Sequence, residues 1–471
     1  MIISMKKIIS TVLALLICAS AAGCRNSDDI VVTVTEISSI TINDPVAFES
    51  AVSEYMSEKF SENEASAEQT AVPDIAENSE SSETASSAGE QEKPVYSPEE
   101  ISGSGRFDAA LLKEIAKQND NFVISPLSVK LALNMAALGA GENSDTEREL
   151  LDLFGYGSRA DMVSDSENLI SELNRKDGSI TVNDSVWISN KKDISVSKEF
   201  TRRLEEIFNA EKFRKDLSGK KIVKEFNKWV KDKTNGLIPE MISQPFDEAA
   251  RVVLVNTLYF NNEWKTKFPE YNSYEFKFMG VNSENLVMAM NVKSNFEYAE
   301  GRTFKGVVLP YEDGSKMKVY LPMDENGSLA EIIGSLSPEQ LSKELELDYT
   351  MEKTIVCMPR FECDYKDSLV ETLKLLGVSA AFDGSAADFS GMLEEGSEYP
   401  LYISDVIHAS KIKCGEKGTE AAAVTVVEMD TGSAMPLPEE PPKEFVANRP
   451  FLYMIESPSG EVLFMGIISE L

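Results

Sequence analysis

The stretch from Arg25 to about Ser104 is too polar and too acidic to form a packed core, so any large fold must lie after it. It carries 18 acidic and 3 basic residues, which contribute -15 to a total formal charge of -33. Serine, glutamate and alanine dominate its second half. Low hydrophobicity and like charge cannot compensate for the entropy lost when such a segment is ordered. We therefore predict a disordered acidic tether over residues 24–104 and a folded domain over residues 105–471.

Residues 1–23 have the pattern of an export signal. Lys6 and Lys7 precede an apolar stretch, residues 8–18, that is too short to cross a bilayer comfortably. Small residues then lead to Cys24, and this junction resembles the cleavage site of a bacterial lipoprotein. The resemblance implies a lipid on Cys24 that anchors the protein in the membrane, at the extracellular face of the bacterial cell envelope. Because Ala21 stands where such signals usually have leucine, secretion without a lipid is the alternative.

Charge and residue type exclude several classes of function. A strongly acidic chain is repelled by a phosphate backbone, so we expect no nucleic-acid partner. His408 is the only histidine, which rules out an HExxH zinc site, and its neighbours contain no nucleophile elbow for a hydrolase triad. We expect no enzyme activity, no cofactor and no metal. An enzyme that works through carboxylates alone is a further alternative, but no motif supports it.

The cysteines of the predicted domain do not suggest a disulfide framework. Cys357, Cys363 and Cys414 follow residue 105, and their number is odd. An odd number in a chain of this length indicates free thiols. We therefore predict that all three are small core residues.

Periodicity predicts a mixture of helices and strands. Apolar residues at helical spacing indicate helices over residues 107–117, 126–138, 222–233 and 368–376. Runs rich in β-branched and aromatic residues indicate strands over residues 179–188, 251–260, 317–321, 354–361 and 451–468. Helices gather early and strands late, which favours an α+β fold with a large, mostly antiparallel or mixed sheet.

Five blocks of the predicted domain resemble the serpin family, both in sequence and in order. They are NFVISPLS at residues 121–128, FNKWV with KTNGLI at 226–238, LVNTLYF followed by Trp264 at 254–264, EKGTEAAA at 416–423, and NRPFL with LFMG at 448–466. One block alone is weakly specific, but the five together span nearly the whole domain. The resemblance implies three β-sheets surrounded by about nine helices, with an exposed reactive loop between the last two blocks. It also implies a metastable native state whose loop can become an extra strand of the central sheet.

The start of this loop has the composition that insertion into a sheet requires. The resemblance assigns the hinge to Glu416, Gly418, Thr419, Glu420, Ala421, Ala422 and Ala423. Glycine tolerates the backbone angles of a hinge, and at strand periodicity the small residues alternate onto one face while Glu420 falls on the other. The segment alone could also begin an alanine-rich helix capped by Thr419, but the other four blocks favour the hinge. The bulky, charged or proline residues of non-inhibitory serpins are absent, which implies an inhibitor.

The bond that a protease would cleave lies further along the loop. The spacing usual in the family places it after Gly432, before Ser433. Because the distance to Pro450 is longer than in many relatives, cleavage after Ser433, Ala434 or Met435 is an alternative. All these residues are small or uncharged, and no arginine or lysine occurs among them. The predicted targets are therefore elastase-like or subtilisin-like rather than trypsin-like.

A second group of residues is predicted to control opening of the central sheet. His408 lies ten residues before the hinge glycine, where serpins have a histidine that helps to hold the central strands together. Ser125, Ser128 and Asn256 match the family's partners of that histidine, and Trp264 matches the aromatic residue at the top of the opening. Such a polar cluster can join two strands reversibly, because buried polar groups need hydrogen-bond partners.

The resemblance implies how the whole protein works. A target serine protease attacks the loop and forms a covalent acyl complex, the freed loop inserts, and deacylation stalls. The inhibitor acts as a monomer and supplies no catalytic group. The alternative is a non-inhibitory serpin that acts as a binding protein on the cell surface, and such a protein would only be cleaved.

Overall fold

The computed structural model of this chain describes residues 103–117, 121–174, 179–191, 195–395, 401–419 and 441–471. The predicted signal, Cys24 and the predicted tether as far as residue 102 lie outside these ranges. So do Glu420, the alanines at 421–423, and the candidate cleavage sites at 432–435. These assignments stay predictions. Gly103 and Ser104, the last two residues of the predicted tether, are described and lie at the start of the first helix.

Nine α-helices occur within the described ranges. They are α1 (Ser104–Ala116), α2 (Pro126–Leu138), α3 (Asp145–Leu153), α4 (Arg159–Leu173), α5 (Lys198–Phe208), α6 (Lys221–Lys233), α7 (Leu329–Ser335), α8 (Pro338–Leu345) and α9 (Val370–Leu375). The four predicted helices are confirmed as α1, α2, α6 and α9. Serine caps six of the helices and accepts an N–H group from the first turn that would otherwise lack a partner. These serines are Ser125, Ser144, Ser158, Ser197, Ser328 and Ser337.

The described strands form three sheets. In chain order they are β1 (Phe122–Ile124), β2 (Ile180–Ser189), β3 (Glu211–Lys215), β4 (Val252–Phe260), β5 (Asn262–Glu263), β6 (Tyr274–Met279), β7 (Glu284–Glu300), β8 (Phe304–Pro310), β9 (Lys316–Pro322), β10 (Thr350–Pro359), β11 (Phe361–Ser368), β12 (Ile407–Gly415), β13 (Gly418–Thr419), β14 (Lys443–Val446), β15 (Phe451–Glu456) and β16 (Val462–Ile468). The largest sheet has the order β1-β16-β15-β9-β8-β7-β10-β14, with β6 also paired to β7. The second has the order β11-β12-β13-β5 and the third β3-β2-β4. The sheets are mainly antiparallel, with parallel pairs β2–β3 and β10–β14, as expected for a mixed architecture.

Two predicted strands are each divided in the structure. The strand predicted over residues 354–361 is the end of β10 and the start of β11, which are separated by Arg360. The run predicted over residues 451–468 is the hairpin of β15 and β16. Pro458 and Gly460 lie in the turn between these two strands, and both residue types favour turns.

Two apolar cores lie on opposite faces of the three-stranded sheet. Side chains alternate along β2, so that Val186 and Ile188 join the larger core whereas Trp187 joins the smaller one. The smaller core is completed by Phe226 and Trp229 of α6. The three cysteines of the described ranges are buried and free, as predicted. In the ranges given above, no helix has both the length and the apolar character needed to span a bilayer.

Candidate functional site

One stretch of backbone, residues 252–263, belongs to two different sheets. Its first part, β4, pairs with β2 from Val252 opposite Ile188 to Phe260 opposite Ile180. Its last part, β5, pairs with β13 and not with β2. Because β13 also pairs with β12, its two described residues join the two smaller sheets at this end.

Below β13 the space between β4 and β12 is open. No strand among the described residues fills it, and a cavity of about 270 Å³ lies there, which we call the slot. Residues 252–256 of β4 form one wall, and residues 401–408, which lead into β12, form the other. Leu133 and Ala136 of α2 contribute to its apolar lining. The slot is therefore a gap between the β3-β2-β4 sheet on one side and strands β12 and β11 on the other.

Gly418 is held against the backbone of β5. It has a φ of 155°, which favours glycine. A Cβ atom at this position would lie 2.0 Å from the carbonyl oxygen of Asn262 and 2.7 Å from the Cα of Glu263. This approach is possible only without a side chain, so glycine allows β13 to enter the sheet.

Thr419 is anchored in the core at the top of the slot. It is 2% exposed, and its Oγ1 is hydrogen-bonded to the Oη of Tyr311 over 2.5 Å. The Tyr311 ring stacks on Trp264 with a centroid distance of 4.3 Å. Trp264 in turn donates from Nε1 to the carbonyl oxygen of Gly415 over 2.8 Å, and its backbone N–H donates to Lys417. These contacts hold the turn between β12 and β13 and the first residues of the loop in one position.

Glu416 fixes the same turn from its other side. Its Oε1 accepts hydrogen bonds from Ser273 Oγ over 2.6 Å and from Arg360 Nε over 2.7 Å, and Arg360 also pairs with it through Nη2. Burial opposes ionisation of Glu416 most strongly, but the hydrogen bonds from Arg360 and Ser273 outweigh it. They hold the pKa of this carboxyl group below its ordinary value. Glu416 is therefore a buried, ionised anchor for the hinge.

His408 lies in the wall of the slot and contacts α2. It is 6% exposed, and its Nε2 accepts the backbone N–H of Ser125 over 3.1 Å and lies 2.7 Å from Ser410 Oγ. Ser125 Oγ accepts the N–H of Ser128, which caps α2. Burial lowers the pKa of His408 to about 4, so the ring is neutral at pH 7 and acts as an acceptor.

Asn256 lies on the other side of the slot and has a different partner. Its Nδ2 donates to Oδ1 of Asp184 over 2.9 Å. Asp184 is buried on β2, directly opposite Asn256 in the strand register. No hydrogen bond between Asn256 and His408 occurs among the described residues. The two residues line the slot from opposite walls. The polar cluster predicted around His408 is therefore divided between β4 and β12.

Comparison with known proteins identifies the family. A family model described as "Serpin (serine protease inhibitor)" matches residues 102–471. This chain belongs to the serpin family. Its curated relatives include an uncharacterised serpin-like protein of Thermococcus kodakarensis, 30% identical over 383 residues, which covers 80% of this chain and 85% of the relative. The human leukocyte elastase inhibitor is also 30% identical, over 387 residues, covering 78% of this chain and 98% of the inhibitor.

Solved serpin structures agree with the fold. The native state of tengpin, a thermophilic serpin, has a TM-score of 0.69 and 30% identity, and the match covers 78% of this chain and 93% of tengpin. The latent state of tengpin has a TM-score of 0.66 and 27% identity, with 81% and 100% coverage. The expected serpin fold is thereby confirmed.

The structure gathers the predicted serpin residues into two groups. Glu416, Gly418, Thr419 and Trp264 meet at the top of the slot. The second group lies along the slot and consists of Ser125, Ser128, Asn256 and His408.

Sequence reasoning did not identify five residues that complete these groups. They are Asp184, Ser273, Tyr311, Arg360 and Ser410. Asp184 had a detectable signal, because it is a single carboxylate on the strand face that also carries Val182 and Val186. Tyr311 and Arg360 lie outside the recognised blocks, and only the folded chain brings them to the hinge.

Replacing Gly418 with alanine is expected to push the start of the loop out of the sheet. The new Cβ cannot be accommodated beside Asn262, so β13 must separate from β5 at a cost of about 1–3 kcal/mol. Trypsin should then cleave faster after Lys417, which can be followed by mass spectrometry. Gly415→Ala is the matched control, because nothing lies within 4 Å of its Cβ position. Equal cleavage of the two variants would contradict the close approach seen at Gly418.

Replacing His408 with glutamine is expected to change how stability depends on pH. The pKa is about 4 in the folded chain and about 6.5 in an unfolded one, so the unfolded chain binds the proton first as pH falls. The histidine therefore contributes stability above pH 6.5 that is lost as pH falls towards 4. The difference in unfolding free energy between wild type and His408→Gln should change by about 3 kcal/mol between pH 7 and pH 4, to the disadvantage of the wild type. Urea unfolding at several pH values measures this, and a constant difference would exclude a neutral, buried histidine.

Proposed function

We propose that this serpin inhibits a serine protease by inserting its reactive loop into the slot. One observation carries the proposal. Gly418 and Thr419, the first residues of the loop, already form a strand between β12 and β5, and the open slot lies further along, between residues 252–256 of β4 and residues 401–408. A loop that continued along this strand would complete the divided sheet.

The side-chain pattern of the loop is compatible with that path. Thr419 points into the core at Tyr311. At strand periodicity Ala421 and Ala423 would face the same side, whereas Glu420 would face the opposite one. The slot wall on this side includes Ala132 and Ala136 of α2, so small side chains would fit there without a clash. Insertion would also supply the missing partners for the backbone of β4 and β12, which is a driving force for the relaxed state.

The proposed targets are elastase-like or subtilisin-like proteases. The candidate bonds after Gly432, Ser433, Ala434 and Met435 present small or uncharged residues, which suit a shallow specificity pocket. The relationship to the leukocyte elastase inhibitor supports the same class. In this mechanism the protease supplies all the catalytic groups, and insertion competes with hydrolysis of the acyl-enzyme.

The decisive experiment is incubation of the full chain with a panel of elastase-like, subtilisin-like and trypsin-like proteases. We expect a complex with an elastase-like or subtilisin-like protease that survives denaturing electrophoresis. Mass spectrometry of the released C-terminal fragment identifies the cleaved bond. Cleavage by every protease without any complex would refute the inhibitory function and favour a non-inhibitory binding protein.

We also propose that the chain is a monomer held at the extracellular face of the cell envelope by a lipid on Cys24. The support is the signal pattern of residues 1–23 and the small residues before this cysteine. Cys24→Ala is expected to move the protein from the membrane fraction to the medium, while Cys18→Ala, the matched control within the signal, leaves it in place. If Cys24→Ala stayed in the membrane fraction as Cys18→Ala does, anchoring through Cys24 would be ruled out.

A further inference from the structure

A carboxyl group that the proposed mechanism does not use lies behind the wall of the slot. Asp184 is 3% exposed on β2, and it accepts a hydrogen bond from Asn256, which lines the slot. The register of β2 and β4 places these two residues directly opposite each other. The pair therefore connects the interior of the three-stranded sheet with the space that the loop would enter.

The other two oxygen atoms of this pair lack hydrogen bonds. Asp184 Oδ2 and Asn256 Oδ1 are both buried, and neither has a partner among the described residues. A carboxylate offers only acceptors, and so does an amide oxygen, so the two atoms cannot satisfy each other while Asp184 is ionised. A proton on Oδ2 makes it a donor, and Asn256 Oδ1 is the acceptor within the same pair. One proton can therefore satisfy both atoms.

The helices packed on this face provide no cation for Asp184. The buried faces of α4 and α5, which pack on β2, are apolar except for Ser166. On α2, Lys130 is already paired with Asp165 and Glu461. Helix α6 packs on β4 from the opposite face, against Val255. No ion pair to Asp184 occurs in the described part of the chain.

The charged and titratable groups of the slot wall are Asp247, Arg251, Tyr402, Asp405 and His408. Arg251 donates to the carbonyl oxygens of Glu248 and Ala250. Burial raises the pKa of Asp184 to about 7, and the hydrogen bond from Asn256 lowers it only in part. This carboxyl group therefore changes its charge near neutral pH, although ordinary aspartates ionise near pH 4.

We propose that Asp184 and Asn256 form a neutral carboxylic acid–amide pair that binds one proton beside the slot, and that loop insertion requires this proton. The second part rests on the proposed function. The proton is taken from solvent onto Asp184 Oδ2, and no other bond breaks. A strand placed next to β4 would replace the open space beside Asn256 with apolar side chains. Because this removes room for water near the pair, a carboxylate there becomes more costly and the neutral acid is favoured.

Infrared spectroscopy of the full chain tests the proton site directly. We expect the wild-type spectrum minus that of Asp184→Asn to show the carbonyl band of a protonated, buried carboxylic acid at pH 6 and to lack it at pH 9. Asp108 is a second buried carboxyl group whose pKa is raised by burial, but it is common to both proteins and cancels in this difference. If Asp184→Asn does not fold, Asn256→Ala replaces it, and the band should shift because the amide acceptor is gone. A difference spectrum without this band at pH 6 would overturn the proposal.

The rate of insertion tests the coupling. The loop is nicked by a protease, and the appearance of a more heat-stable form is followed at pH 6 and pH 8.5. Insertion in the wild type should be about 30-fold slower at pH 8.5, because nearly all of the chains have lost the proton, whereas Asp184→Asn should show equal rates. His408 is neutral at both values and does not contribute to the difference. Equal insertion rates for the wild type at pH 6 and pH 8.5 would overturn the coupling between the proton and insertion. If no heat-stable form appeared at either pH, the proposed function itself would be refuted, and the infrared test alone would decide whether Asp184 binds a proton.

Discussion

Thr419→Arg is expected to turn the protein from an inhibitor into a substrate. Thr419 is almost completely buried and hydrogen-bonded to Tyr311, so an arginine there would bring an unpaired charge into the core at the entrance of the slot. A penalty of about 3 kcal/mol on insertion slows it by about 100-fold, and hydrolysis of the acyl-enzyme then occurs first. The measurement is the number of inhibitor molecules consumed per molecule of protease inactivated, together with the yield of covalent complex on a denaturing gel.

Thr419→Ser is the matched control for this variant. Serine keeps the hydroxyl group that contacts Tyr311 and adds no volume. It should therefore inhibit nearly as the wild type does. Undiminished complex formation by Thr419→Arg would mean that the loop does not enter the sheet at this position.

Cleavage of the loop is expected to raise the melting temperature of the protein strongly. In the described part of the intact chain, β4 and β12 flank a cavity of about 270 Å³, and β13 joins β12 to β5, which continues from β4. A nicked loop can continue from β13, fill the cavity and pair with both neighbours. A gain of about 10 kcal/mol corresponds to a rise of about 13 °C for a domain of this size.

Calorimetry of the intact and nicked wild-type protein, and of nicked Thr419→Arg, measures this gain. The nicked variant should gain much less, because its hinge resists insertion. Equal melting temperatures for intact and nicked wild-type protein would contradict a metastable native state. The serpin fold would then be the only one of these conclusions to remain.

Local patterns were sufficient to locate most of the elements that surround the slot. α2 follows Ser125 and begins with a proline at its first position, which is a strong start signal for a helix. The apolar spacing of Phe226, Trp229 and Val230 identified α6, which covers one face of the three-stranded sheet. The two divided strands were missed because β-branched or aromatic residues continue on both sides of each interruption. The geometry at Arg360 and at the turn before β16 depends on partners distant in the sequence.

The hinge was also predictable, because a glycine followed by small alternating residues is a local pattern. Its anchors were not. Ser273 and Arg360 reach Glu416 from distant parts of the chain, and Tyr311 reaches Thr419 from the end of β8. Such contacts follow from the packing of the sheets and not from spacing along the chain.

The same division applies to the polar residues of the slot. Matching blocks drew attention to Asn256 and His408 as one cluster, yet Asn256 is hydrogen-bonded to Asp184, and His408 to Ser125. The hydrogen-bond partners of Asn256 and His408 depend on whether β4 and β12, the strands that carry them, are joined or separated.

By itself, the sequence determined the family, the fold class, four of the nine helices and several of the strands in the described ranges, and the small side chains of the loop. These properties depend on residue size, periodicity and short-range order along the chain. Only the tertiary structure decided that the sheet is divided, that β13 bridges it, and that Asp184 is buried beside the gap without an ion pair to any described residue. The reason is physical: the charge state and the partners of a buried group depend on everything that excludes water from it, and those groups come from all parts of the chain.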